Sequence, residues 1–415
     1  MVMVSYGLSL GGGGSRGAYQ LGVWKALIEL KIKIDYVVGT SIGAINGAFI
    51  CQNNYDALEK LWLTTSLKKC FSIEDEIHDD YRLSAMDLPF LAKAMWVDGG
   101  LNPLPLKEIL KENIDEEAIR NSTIDFGIVT ICISSFKPLE IFIKDIPLNK
   151  LTDYIMASAS LPGFQKFIID GDCFVDGGLY SNVPSEMLIN KKCFHIIEVD
   201  IDGPGIRRKI KNKSSMEFIE IKPQESLGSI LNFDPKIIEK NINLGYLDTL
   251  RAFKKLKGSY YYFSEEGTNT NKLLQKASSK EEELLLNAIG YSDTLYDKIT
   301  FFRSLKCLKG SARTILSNSN DSMLTAMEIT AEALNIERNK IYNYDELLNN
   351  IINITSMKKC NFEDINIKEY FLMENCNLQD SSSIAKLFRK TLALTLPKDF
   401  IAHMFLSFMK YRLNL

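Results

Sequence analysis

Histidine is scarce in this chain. His78, His195 and His403 are the only three in 415 residues. His78 sits in the charged stretch EDEIHDD, His195 opens a strand-like run, and His403 falls in a helical C-terminal stretch. None has metal-ligand spacing around it, so no metal site is expected. None has turn residues that would present an imidazole to a nucleophile, so a histidine triad lacks support. Paired cysteines are also missing. Cys51, Cys70, Cys132, Cys173, Cys193, Cys307, Cys360 and Cys376 form no CxxC, and most lie in apolar runs such as Ile131-Cys132-Ile133. They read as buried thiols in a reducing compartment, not as a disulfide frame. No apolar run reaches the roughly 18–20 residues of a transmembrane helix. Met1–Leu10 reads as a strand without a cationic leader, so no Sec signal peptide is expected. A cytoplasmic location follows as the expectation, with room for peripheral membrane contact. Charge excess is absent too: 49 Lys and Arg stand against 52 Asp and Glu, a net charge of -3. That balance argues against bulk nucleic-acid binding.

What is present is punctuation. The chain exceeds one usual core, so a large and a smaller domain are expected. Strand candidates at Val2–Leu10, Ile34–Val38, Asp125–Ser134, Leu139–Ile143, Phe167–Ile169, Cys173–Val175 and His195–Ile201 alternate with helical periodicity at Ser15–Leu30 and Ile42–Cys51. This predicts an α/β domain over 1–265 with a mostly parallel central sheet. After the polar stretch Ser264–Thr270 the text turns helical, as in KEEELLLNAIGYSDTLYDKITFF and YDELLNNIINIT. A smaller, all-helical module over 270–415 is expected.

Three local patterns carry chemistry. Gly11-Gly12-Gly13-Gly14-Ser15-Arg16-Gly17 follows a strand and opens a helix. Such a loop turns backbone N–H groups toward one point, which suits an oxyanion or a phosphate. Gly12, Gly14 and Gly17 also satisfy the dinucleotide pattern GxGxxG. That pattern wants an acid at the carboxyl end of the next strand, whereas Asp35 stands at its start. The end of that strand holds the second pattern, Gly39-Thr40-Ser41-Ile42-Gly43. A G-x-S-x-G between strand and helix presents a serine on a sharp turn. The bland reading is an N-capping serine. The third pattern is Asp176-Gly177-Gly178 after the run CFVD. A carboxylate there can accept a serine proton, and the bland reading is an Asp-Gly turn.

Together these residues resemble the patatin-like phospholipase family. The likeness extends to Gly100–Leu106, to Ala157–Phe164 and to Gly171–Asn182, and covers roughly residues 4–260. The resemblance implies a three-layer α/β sandwich. It implies Ser41 as nucleophile, Asp176 as proton acceptor, and Gly12, Gly13 and Gly14 as the oxyanion hole. Arg16, Gly17, Gly39, Gly43, Gly177 and Gly178 would support the motifs. Ile42 departs from the Ala or Gly that the family often carries beside its nucleophile. The implied activity is a serine lipid acyl hydrolase of the phospholipase A or lysophospholipase type. It would use a Ser–Asp dyad and an acyl-enzyme, with no cofactor and no metal. A thioesterase with the same dyad and a non-catalytic lipid-binding protein are the alternatives.

Two segments suit a lipid surface. Arg207, Arg208, Lys209, Lys211 and Lys213 form a basic cluster that reads either as a headgroup contact or as a solvated loop. The tail LFRKTLALTLPKDFIAHMFLSFMKYRLNL mixes bulky apolar residues with cations. It reads equally as an interfacial helix or as a terminal helix packed on the second domain.

Overall fold

The computed structural model describes residues 4–73, 79–82, 87, 93, 99–210, 216–264, scattered positions between 278 and 288, 322–357 and 382–413. His78, Lys211, Lys213, Cys307, Cys360, Cys376, the stretch 265–270 and most of the expected helix over 280–302 lie outside the described residues. Two compact units emerge, Met1–Ala252 and Phe253–Leu415.

The first unit is built on an eight-stranded sheet. Its strands are β1 (Ser5–Leu10), β2 (Lys33–Thr40), β3 (Asp125–Cys132), β4 (Lys137–Phe142), β5 (Phe167–Ile169), β6 (Asp172–Asp176), β7 (His195–Val199) and β8 (Glu217–Ile221), in the order β5-β6-β3-β2-β1-β7-β8 with β4 also on β3. β3, β2, β1, β7 and β8 run parallel to their neighbours in that order, while β4, β5 and β6 are antiparallel. Strands covered on both faces read as continuous apolar runs. That is why β2 ends in four buried residues, Val37-Val38-Gly39-Thr40. The helix Ile42–Cys51 covers one face, where a side chain on Gly47 would strike Phe126 and Val37. Met187 and Leu188 of the helix Ser185–Asn190 cover the other, against Val38 and Val129. The result is the three-layer α/β sandwich. β8 was absent from the sequence reading.

The edges of β3 decide where chemistry can occur. β4 occupies one edge throughout, from Gly127 to Cys132. On the other edge β2 pairs up to Thr40 opposite Val129, and β6 takes over with Asp176 opposite Thr130. β2 and β6 run toward each other along that edge, and both end there.

In the second unit β9 (Leu256–Lys257), β10 (Tyr262–Ser264) and β11 (Ile341–Tyr342) form a small sheet beside its helices; β9 and β10 precede residue 270, and β11 is the one described strand inside the stretch expected to be helical. Strands this short show no alternation to read. Because β9 and β10 pair with each other and β10 with β11, the unit begins at Phe253, before the polar stretch near 265. Its core gathers Tyr261, Phe263, Met327, Leu347, Phe405 and Phe408 among others.

Candidate active site

The turn at Ser41 is tight. A side chain on Gly39 would lie 2.3 Å from the Gly43 carbonyl oxygen, and one on Gly43 would lie 2.2 Å from the Leu10 oxygen. Only glycine fits at either place. Ser41 itself has φ +56° and ψ -124°, a conformation that side-chain-bearing residues avoid. It heads the helix Ile42–Cys51, yet its hydroxyl makes no capping hydrogen bond. The bland capping role is therefore unfilled. Ser41 is 5% exposed.

Asp176 ends β6 and is 2% exposed. Its Oδ1 accepts the Gly178 N–H at 2.7 Å, and its Oδ2 has no hydrogen-bond partner. Burial raises its pKa from 3.8 to about 6, against the lowering effects of the Ser41 hydroxyl and the Gly178 N–H. Ser41 is thus the side chain that bears on this carboxyl. Gly177 sits where a side chain would lie 2.2 Å from the Val129 oxygen, so the DGG turn presses directly on β3.

The glycine loop approaches from β1. A side chain on Gly12 would lie 2.6 Å from Asn182 Oδ1 and 3.1 Å from Ser41 Cβ. Gly12 donates its N–H to the Asn182 carbonyl oxygen at 3.1 Å. This narrows the expected trio of oxyanion donors, since the Gly12 N–H is already spent. The N–H groups of Gly13 and Gly14 have no such partner among the described residues. Gly14 has φ +57°, and a side chain there would lie 2.2 Å from the Ile230 oxygen. Arg16 donates from Nε to the Gly228 oxygen at 2.8 Å and from its guanidinium to the Asp202 oxygen, tying the loop's end to two other loops. Gly17 packs on Ile42, which a side chain there would meet at 2.3 Å.

A buried polar chain links this loop to the wall of an apolar cavity. Gln20 donates to the Gly11 oxygen at 2.7 Å, Asn46 donates to Gln20 at 2.8 Å and to the Gly17 oxygen at 2.9 Å, and Trp62 donates to Asn46 at 3.1 Å. Sequence reasoning missed these residues. The available signal was a lone amide in each of two apolar runs, AYQLG and AINGAF. The cavity, of about 70 Å³, opens at Ser41 and is lined by Ile42, Ile45, Trp62, Phe71, Leu161 and Phe164 among others. Cys70 also lines it, but burial pushes its thiol up to about 12, which removes it as a nucleophile.

Residues 8–189 match the family described as patatin-like phospholipase. This chain carries a patatin-like phospholipase domain. The domain is 29% identical over 201 residues to neuropathy target esterase sws of Drosophila melanogaster, covering 48% of this chain and 13% of that protein. It is 27% identical over 257 residues to lysophospholipase NTE1 of Kluyveromyces lactis, covering 61% of this chain and 16% of that one. The chain therefore spans a small part of these curated relatives. Among solved structures, VipD from Legionella pneumophila aligns over 96% of this chain and 91% of its own, at 14% identity and a TM-score of 0.39.

Other expected features do not belong to this group of residues. His195 opens β7 at the end of the sheet opposite Ser41, where its Nδ1 meets Glu217 at 2.9 Å. His403 is buried in the second unit. Among the described residues no cluster of His, Cys, Asp and Glu could hold a metal ion, and no helix is long and apolar enough to cross a membrane. Two members of the basic cluster are tied down, while Lys211 and Lys213 lie outside the described residues. Arg207 pairs with Glu198, Asp200 and Glu220, and Arg208 with Glu186 at 2.6 Å while stacking on Tyr180. These arginines bind the chain's own acids, which weakens the headgroup reading. The tail helix Pro397–Leu413 is packed, with Phe405, Leu406 and Phe408 buried in the core of the second unit. The packed reading holds for Pro397–Leu413, whereas Leu387 and Leu396 of the preceding stretch are exposed.

Proposed function

We propose that this chain hydrolyses fatty-acyl esters of lipids, as a phospholipase A or lysophospholipase, through a Ser41–Asp176 dyad and an acyl-enzyme. The observation that carries the reading is a buried carboxyl with one free oxygen beside Ser41, whose side chain is held on a strained strand–helix turn. Asp176 takes the Ser41 proton as Oγ attacks the ester carbonyl. The tetrahedral oxyanion is held by the N–H groups of Gly13 and Gly14, a type of donor worth about 2.7–4 kcal/mol. Collapse expels the alcohol or lysolipid, which takes the proton from Asp176. Water, deprotonated by Asp176, then attacks the acyl-Ser41 ester, and collapse releases the fatty acid as Asp176 returns the proton to Ser41. A base whose pKa is about 6 is ionised at neutral pH and still able to accept a proton. The apolar lining beside Ser41 suits an acyl chain. The relatives named esterase and lysophospholipase support the same class.

The test is turnover of p-nitrophenyl butyrate by wild type and Ser41→Ala, followed by mass spectrometry of products from mixed phospholipids. Free fatty acid and lysolipid from wild type alone are expected. Equal background turnover by both proteins would overturn the reading in favour of a lipid-binding protein. Cleavage of acyl thioesters without cleavage of lipid esters would redirect it to a thioesterase.

A further inference from the structure

We infer that Ser158 is a positioning residue that holds the Ser41 nucleophile in its reactive conformation; this rests on the dyad reading above. Ser158 is the last residue of the helix Leu151–Ser158 and is fully buried. Its hydroxyl accepts the Ser41 backbone N–H at 2.8 Å and donates to the Val129 carbonyl oxygen at 2.6 Å. Val129 is the residue of β3 that faces Thr40, the last residue of β2.

That placement answers a specific need. Beyond Thr40 the β2–β3 pairing has ended. Ser41 stands ahead of the helix Ile42–Cys51, whose first N–H groups have no partner within the helix. Its conformation costs on the order of 1–3 kcal/mol and persists only where the surroundings over-determine it. The Ser158 hydroxyl supplies that determination. It links the strained N–H of Ser41 to the backbone of β3, so the nucleophile is tied to the strand that also pairs with Asp176.

The same helix end holds the other member of the pair. The Asp176 N–H donates to the Ser160 carbonyl oxygen at 2.8 Å. The Ser160 hydroxyl turns back to the Met156 oxygen at 2.8 Å and keeps that end of the chain wound. The segment 158–160 thus carries one hydrogen bond to each partner of the dyad. It sets their separation. Loss of the Ser158 hydroxyl leaves the Ser41 N–H without its acceptor and the elbow free to relax, and small misplacements of a nucleophile lower the rate of attack without altering substrate affinity.

The experiment compares Ser158→Ala and the near-isosteric Ser158→Cys with wild type on p-nitrophenyl butyrate, with Ser41→Ala in parallel. A fluorophosphonate probe reports Ser41 reactivity independently of deacylation. For Ser158→Ala, kcat and the probe-labelling rate are expected to fall by about tenfold to a hundredfold, with KM within about twofold of wild type. Ser158→Cys, a weak acceptor, falls between the two. Wild-type kcat in folded Ser158→Ala overturns the inference, as does a fall in kcat matched by a rise in KM and a collapse of Tm. If Ser158→Ala does not fold, wild-type kcat in Ser158→Cys overturns it. If Ser41→Ala keeps wild-type turnover, the dyad reading itself has failed; if Ser41→Ala is dead while Ser158→Ala is fully active, only the role of Ser158 has failed.

Discussion

Thr40 and Asp176 occupy successive places on one edge of β3, Thr40 opposite Val129 and Asp176 opposite Thr130. Ser41 and the carboxyl of Asp176 meet because β2 and β6 run toward each other along this edge and both end there. A carboxylate on this edge can serve the serine without a histidine between them. Each prediction below follows from that edge or from what packs against it.

The histidines should be dispensable for turnover. His195 lies at the far end of β7 and His403 in the second unit. A variant with all three histidines replaced should keep most of its p-nitrophenyl ester activity, while Asp176→Asn should lose as much as Ser41→Ala. A folded but inactive histidine-free variant would falsify the dyad.

Activity should rise with pH through about 6, where Asp176 ionises. Stability should move the other way. The folded-state pKa lies above the ordinary 3.8, so the neutral acid contributes stability that is complete below about pH 4 and lost as pH rises through about 6. At pH 8 the buried charge costs on the order of 3 kcal/mol. Asp176→Asn should therefore unfold at higher denaturant than wild type at pH 8, with the gap closing toward pH 4. Denaturation curves at both pH values check this, and identical curves for the two proteins would count against a raised pKa.

Gly12→Ala should be close to inactive. The added methyl would lie 2.6 Å from Asn182 Oδ1 and 3.1 Å from Ser41 Cβ. Asn182 also holds the loop by donating from Nδ2 to the Gly12 oxygen at 3.3 Å. Displacing the loop moves the oxyanion donors, and loss of one such donor costs about 10²–10³ in kcat. Steady-state kinetics with a circular dichroism control distinguish this from misfolding. Retention of more than about a tenth of wild-type kcat would argue against the loop as an oxyanion site.

The tail should matter for folding of the second unit. Phe405 is 3% exposed in its core. Phe405→Ala should lower the stability of that unit by about 3–5 kcal/mol. Hydrogen exchange across 397–413 reads it directly. Unchanged protection there would mean that the helix is not packed as described.

Much of the site was legible from residue types alone. Glycines at 39 and 43 around a serine, and a glycine loop after β1, are demands of backbone geometry that no other residue meets, so they leave a mark in the text. The helix Ile42–Cys51 ran as expected because small residues suit close packing on a sheet. The short strands of the second unit left no mark, because two or three residues carry no periodicity. Nor did the fate of the basic cluster, since Arg207 and Arg208 are neutralised by acids on separate strands and on the helix Ser185–Asn190.

Local sterics alone specify a strand–serine–helix turn, a glycine loop after β1 and an Asp-Gly-Gly turn, and each is readable along the chain. Their convergence is a property of the folded sheet. The register of β3 sets Asp176 beside Ser41, the Asn182 carbonyl removes Gly12 from the free donors, and burial raises the carboxyl toward neutral pH. Those are relations between residues more than a hundred positions apart, and they exist only once the sheet has formed.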